Sequence, residues 1–275
     1  MADNVFYHYT DFQALDGILR CAQLRVNNVL RMNDSAEMRH FMVRLSSAIV
    51  RRLEDGGDQA HARSAAAFFQ EELGKEYTAF AACFSFRRDD AAQWERYGNW
   101  GRGVCIAFRG DLLRQLAAGP LSLHTVFYED DMTGHPMVER FCRLARQKEI
   151  LSASDPEIQS ALRDAWACSV AFKHPSFSSE DEVRLVVAPF GQEEFDMKPC
   201  YHITRERIKK YYPLDLREMC RKAGASLEDL VAEIIIGPES TQSRAMLQDY
   251  LRDQGLGGLA PRVFLSDCPL RGMPK

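Results

Sequence analysis

Apolar and polar positions change period several times along the chain, and each change predicts an element. Val5–Thr10 starts apolar and ends polar, which reads as a short strand with a polar tip. Asp11 then caps a helix carrying Leu15, Ile18 and Leu19, which the chain leaves through Gln23–Val26. Met32-Asn33-Asp34, with Glu37 three residues after Asp34, resembles a capping box. It opens a helix striped by Met38, Phe41, Leu45, Ile49 and Leu53. Gly56-Gly57 breaks the chain, and a second helix contains Ala65 to Phe69. The middle is strand-rich. Tyr77 to Phe86 reads as a buried strand ending at Ser85, Val104–Phe108 as another, and Leu123 to Tyr128 as a third. Between the first two, Asp89 or Asp90 starts a short helix with Trp94 and Tyr97 on one face, followed by a turn at Gly98–Gly103. Helical spacing dominates from about Met137 to Val170, with a break at Pro156. Late in the chain, Tyr201–Ile203, Val231–Ile236 and Val263–Leu265 read as strands, Thr241–Arg252 as a helix and Arg205–Lys210 as a basic cluster.

The stretch Ser179 to Val187 stands apart, because it begins acidic and becomes a β-branched run. Strand alternation puts Glu180, Glu182 and Arg184 on one face and Val183, Leu185 and Val187 on the other. Such a charged row is costly to bury unpaired and is tolerable lining a cleft at the open end of a sheet. By itself the stretch also reads as a half-exposed strand with one Glu–Arg pair.

Strands and helices mix without a regular βαβ beat, which points to an α+β fold. The 275 residues, 46% of them hydrophobic, suit a single domain spanning 1–275, with a helical insertion or flanking layer at about 135–172. The net charge of -4 gives no general field for nucleic acid or anionic membrane. Eight scattered cysteines form no C-x-x-C pair, so no zinc site is suggested, and several lie in apolar runs that suit free thiols in a reducing cytoplasm. No apolar run approaches the roughly 20 residues needed to span a bilayer. Strand-like sequence by Val5 leaves no room for a signal peptide. There is no Gly-x-Gly-x-x-Gly and no P-loop.

The order of the pieces resembles the ADP-ribosyltransferase superfamily. Phe6-Tyr7-His8-Tyr9-Thr10 and the helix after it look like the first motif of that superfamily. Cys83-Phe84-Ser85, the Trp94–Tyr97 helix and Gly103–Phe108 look like its middle motif. Ser179-Glu180-Asp181-Glu182 looks like the last, which supplies a catalytic glutamate. More specifically, the whole chain is similar to a bacterial family catalogued as domain of unknown function 2971. His8-Tyr9-Thr10, Met32-Asn33-Asp34 with Glu37, Cys83-Phe84-Ser85, Trp94 with Tyr97, Glu180-x-Glu182-x-Arg184 and Ile236-Gly237-Pro238 carry that likeness. The chain departs from the pattern at Cys21, where Gly is common, and in lacking a Ser-x-x-Tyr middle motif.

The resemblance implies split mixed and antiparallel β-sheets with flanking and inserted helices. It implies NAD as substrate, with no metal, and transfer of ADP-ribose to a protein or nucleic-acid acceptor. Glu182 would be catalytic and Glu180 would orient the acceptor. His8 and Thr10 would hold the adenosine-side ribose, with Tyr9, Ser85 and Arg184 also at the NAD site, and Tyr97 or Trp94 would stack on nicotinamide. Bacterial relatives would fit a toxin or a phage-defence effector. Two other functions use the same site: an NAD glycohydrolase, and a catalytically inactive binding module. An RNA 2′-phosphotransferase would want more arginines beside the histidine than Phe6–Thr10 contains.

Overall fold

The computed structural model describes residues 5–29, 37–75, 78–117, 121–129, 131–148, 150–187, 197–203 and 208–270. β1 (Val5–Thr10) passes through Asp11, whose carboxylate accepts the Ala14 N–H, into α1 (Phe12–Leu19) and then β2 (Gln23–Asn28). Two long helices follow, α2 (Glu37–Asp55) and α3 (Gln59–Leu73), with the break at Gly56-Gly57. β3 (Phe80–Ser85) leads to α4 (Ala91–Arg96), capped by Asp90, and to β4 (Val104–Arg109). After α5 (Gly110–Leu116) and β5 (Leu121–Thr125) come α6 (Pro136–Gln147) and α7 (Pro156–Val170), each with Pro in its first turn. A 3₁₀ turn (Pro175–Glu180) enters β6 (Glu182–Val187), and β7 (Cys200–Ile203) and β8 (Ile208–Asp215) form a hairpin. The chain ends with α8 (Leu216–Lys222), α9 (Leu227–Leu230), β9 (Val231–Ile236), α10 (Arg244–Asp253) and β10 (Val263–Leu265).

The fold is mixed α+β, with one open sheet. Its order is β10-β9-β4-β1-β3-β2-β8-β7, and β6 and β5 branch from β3. β9 and β10 run parallel; the other registered pairs are antiparallel. The branch at β3 positions the candidate site. One edge of β3 carries β6 along its whole length, from Phe80–Val187 to Ser85–Glu182. The other edge is divided. β1 holds it at one end through Tyr7–Ser85, and β2 holds it at the other through Asn27–Ala81 and Asn28–Phe80. Between those ends, Ala82, Cys83 and Phe84 have no strand partner on that edge among the described residues. The sheet is split there.

Alternation along the strands sorts side chains into separate cores. Phe6, Phe84, Phe108, Val183, Leu185 and Val187 bury against α1, α5 and the C-terminal helices. On the opposite face, α2, α3, α6 and α7 form a helical layer over Ala79, Ala81 and Val186. The helices predicted at about 135–172 are therefore half of a four-helix layer. A smaller cluster of Tyr7, Tyr9, Trp94, Cys105, Ala107 and Ile235 covers the β1–β4–β9 part. The turn at Gly98–Gly103 closes tightly on it. A Cβ at Gly103 would lie 2.1 Å from the Thr10 carbonyl oxygen, and one at Gly237 would lie 2.3 Å from that of Gly101. Only glycine permits that approach.

Several expectations need correction. Glu180 is not in the strand: it ends the 3₁₀ turn, and Asp181 at φ +47° reverses the backbone before β6 starts. The strand predicted at Leu123–Tyr128 runs Leu121–Thr125, and Phe127 instead makes an isolated bridge to Phe172. The strand predicted from Tyr77 begins at Phe80. β8, α5, α8 and α9 had no predicted counterpart; Ile208–Lys210 of the expected basic cluster opens β8. The expected capping box at Met32-Asn33-Asp34 and Glu37, Tyr77 and the Arg205–Arg207 part of the cluster lie outside the described side chains. No helix among the described residues is long and apolar enough to cross a membrane.

Candidate functional site

A cleft of about 370 Å³ opens along the unpaired middle of β3, a size ordinary for a small-molecule site. β1 contributes Tyr7, His8 and Tyr9, and β2 contributes Arg25, Asn27 and Asn28. Successive residues from both faces of a strand can line it because the sheet is open there. His8 does what the missing ladder would have done. Its Nδ1–H donates to the Cys83 carbonyl at 2.8 Å, across the gap between β1 and β3. A carbonyl only accepts, so this bond fixes the tautomer and leaves Nε2 as an acceptor in the neutral ring. Burial lowers the His8 pKa against the opposing effect of the Cys83 hydrogen bond, so the neutral form holds at pH 7.

The other end of the cleft is an ion cluster. Lys173 Nζ lies 2.5 Å from one oxygen of Glu180 and 3.4 Å from Glu182. Arg184 grips Glu182 in bidentate fashion, with both contacts at 2.9 Å, and its remaining arm donates to the Val170 carbonyl at 2.8 Å. Glu180 also accepts from the Tyr97 hydroxyl at 2.9 Å and from Arg96 at 3.2 Å. Lys173, Glu180, Glu182 and Arg184 are all buried, at 4%, 4%, 6% and 2% exposure. Buried charges persist only when compensated, and here every one is. Burial alone would raise the Glu182 carboxyl, but Arg184 and Lys173 outweigh it and hold it below the ordinary carboxylate value. Glu182 is thus an anion at neutral pH. The Cys83 thiol beside it is pushed well up by burial and by the Glu182 charge, so it stays protonated.

The 3₁₀ turn is pinned from below. The Glu180 carbonyl accepts from Ser85 Oγ at 2.6 Å and from Gln93 Nε2 at 3.0 Å, and the Glu182 N–H donates to the Tyr128 hydroxyl at 2.9 Å. The strand alternation expected to align Glu180 with Glu182 and Arg184 is absent. Asp181 breaks it, and the two carboxylates meet through Lys173 instead.

The structure places His8, Tyr9, Ser85, Tyr97, Glu180, Glu182 and Arg184 around this cleft, and leaves Thr10 and Trp94 out. Thr10 pairs with Val104 at the end of β1. Trp94 has no exposed surface. It packs edge-on against Tyr9, and its indole N–H donates to Asp89 at 2.7 Å, which corrects its expected role at a nicotinamide ring. Tyr9 uses its hydroxyl on the turn before α4, donating to the Arg87 carbonyl at 2.7 Å and accepting the Asp90 N–H at 3.0 Å. Lys173, Arg96, Gln93, Arg25, Lys209 and Lys210 line the cleft and were not anticipated as site residues. Lys173 alone carried a signal: a cation at the end of the apolar run Val170-Ala171-Phe172.

The His8 geometry makes a prediction about pH. Folding lowers its pKa from the ordinary 6.5, so the unfolded chain binds more protons and stability falls as pH drops through 6.5. His8→Asn keeps a donor for the Cys83 carbonyl and removes the titration. Melting temperature plotted from pH 8 to pH 5 should fall less steeply in that variant than in the native chain. Parallel curves would show that His8 does not titrate in this way.

Residues 93–185 match the model of a family described as "Protein of unknown function (DUF2971)". The matched stretch runs from α4 into β6 and holds the ion cluster, while β1, β2 and β3 lie outside it. No curated protein and no solved structure matches the chain.

Proposed function

We propose that the cleft binds NAD and breaks its nicotinamide–ribose bond, passing ADP-ribose to a macromolecular acceptor. The observation that carries this reading is the split at β3. It brings His8 of the first motif, Tyr97 of the middle one and Glu180 and Glu182 of the last to one cleft. When the C1′–N bond breaks, its electron pair goes to the nicotinamide nitrogen and neutralises it. Positive charge builds on the ribose, and the acceptor's lone pair then forms the new bond to C1′ as its proton leaves. Glu182 stands ionised to stabilise that oxocarbenium-like state and to accept a ribose hydroxyl. Glu180 takes the role of orienting the acceptor, His8 Nε2 that of accepting from a ribose hydroxyl, and the Tyr97 ring that of a nicotinamide platform.

One observation favours a second reading, a binding module without turnover. Arg184 occupies both oxygens of Glu182, so the charge meant for the ribose is already compensated. Calorimetric titration with NAD, followed by measurement of free nicotinamide, separates the two. The transferase reading expects binding and release that rises when an acceptor protein or nucleic acid is added. Release at the same rate without any acceptor identifies a glycohydrolase, binding without release identifies the module, and no binding removes all three.

A further inference from the structure

We propose that the β2–β8 wall of the cleft is a diphosphate site, built to hold the phosphates of a nucleotide while the ion cluster faces its ribose. This rests on the reading of the cleft as a nucleotide site and adds the chemistry and direction of binding. The cations of the cleft fall into two kinds. Lys173, Arg184 and Arg96 each pair with Glu180 or Glu182. Arg25, Lys209 and Lys210 line the same cleft, and among the described residues none of them has a carboxylate partner.

Aromatic rings hold two of these three instead. The Arg25 guanidinium lies 4.9 Å from the centre of the Tyr211 ring. Lys210 Nζ lies 5.7 Å from the Phe80 ring and 5.6 Å from the Tyr212 ring. Such contacts orient a cation without neutralising it. The pairing of β2 with β8 sets Arg25 opposite Pro213 and Asn27 opposite Tyr211, so Arg25, Asn27, Lys209 and Tyr211 share a face. β2, β7 and β8 carry a single carboxylate, Asp215. It sits at the far end of β8, where it caps α8 by accepting the Glu218 N–H at 3.0 Å.

The chain as a whole carries -4, so this excess of positive charge is local. It faces a cleft of about 370 Å³, which takes a small molecule rather than a folded partner. A single carboxylate ligand would use one of the three cations. A diphosphate uses two, Arg25 and Lys209 on the shared face, with the Asn27 amide as a neutral donor beside them, while Lys210 lines the cleft from the opposite face of β8, over Phe80 and Tyr212. Among the described residues the cleft is therefore polarised: compensated charge at the Glu180–Glu182 end and uncompensated positive charge at the β2–β8 end. A nucleotide would lie in it with its phosphates at the β2–β8 wall and a ribose toward the carboxylates.

Calorimetry on the full chain tests this with ADP, inorganic pyrophosphate and adenosine. ADP and pyrophosphate should bind, and adenosine should bind at least about tenfold more weakly than ADP. The double variant Lys209→Gln/Lys210→Gln, and separately Arg25→Gln at its exposed position, should each weaken ADP about tenfold and leave adenosine unchanged. If the double variant fails to fold, Arg25→Gln carries the test by itself. ADP binding no tighter than adenosine, or native ADP affinity in folded variants, overturns the proposal. So does a single-stranded oligonucleotide that outcompetes ADP through the same lysines, since the wall would then be a polymer track. If ADP behaves as expected and NAD yields no nicotinamide, the diphosphate site stands and the transferase reading falls.

Discussion

Arg184→Leu should be the most destabilising single change in the cleft, costing about 3–5 kcal/mol. Arg184 is 2% exposed and makes three hydrogen bonds at once, two to Glu182 and one to the Val170 carbonyl that ends α7. A leucine fills much of the volume but leaves a buried carboxylate compensated by Lys173 alone, at 3.4 Å, and a buried carbonyl without its donor. For a chain of this size the loss corresponds to a melting temperature lower by about 10 °C. Two controls separate an uncompensated charge from lost packing. The double change Arg184→Leu/Glu182→Leu removes both charges and should recover a large part of the loss, because the unpaired ion is the costly species. The pH dependence should also change sign. In the native chain Glu182 is held below its ordinary pKa, so its contribution is present above the usual carboxylate range and is lost as pH falls. Without Arg184, burial raises that pKa, and the variant's deficit should shrink on acidification. A deficit independent of pH, with no recovery in the double variant, would mean that Arg184 acts through packing.

The elements that were legible in the sequence are those whose local signals agree with their tertiary surroundings. Asp11 caps α1, the Met38–Leu53 stripe buries in the helical layer, and Val231–Ile236 is a strand buried between two others. β8 was hidden because Ile208-Lys209-Lys210 reads as surface charge and Pro213 argues against a strand. Its extended backbone is fixed by β2 on one side and β7 on the other. The chemistry of the Glu180–Arg184 stretch was visible, but its geometry was not. An aspartate in the left-handed region leaves no trace in an alternating charged sequence, and Asp181 alone decides that Glu180 belongs to a turn. Helical spacing likewise put Trp94 and Tyr97 on one face. α4 ends at Arg96, however, and Tyr97 at φ -123° lies outside it, so the tyrosine reaches Glu180 while the tryptophan stays in the core. The divided edge of β3, on which the cleft depends, is a matter of which strands meet. No property of Phe80–Ser85 as a segment reveals it.

Glu182→Gln should reduce nicotinamide release from NAD about a hundredfold or more, the usual effect of removing a group that stabilises transition-state charge. The amide keeps the size and one acceptor of the carboxylate but cannot balance the developing charge on the ribose. It also strips Arg184 of its counter-ion, so the variant should melt below the native chain, and a drop in rate alone would be ambiguous. The decisive comparison is made well below the variant's melting temperature, with NAD affinity measured on the same sample. Affinity within a few-fold of native together with the rate loss places the effect in the chemical step. Glu180→Gln supplies the contrast. Glu180 sits among Lys173, Tyr97 and Arg96, and in its proposed role it orients the acceptor. Its loss should lower transfer to an added acceptor more than release of nicotinamide to water. Should folded Glu182→Gln protein bind NAD and turn it over at the native rate, the carboxylate serves only as the counter-ion of Arg184. The cleft would then have to run any glycosyl chemistry through Glu180.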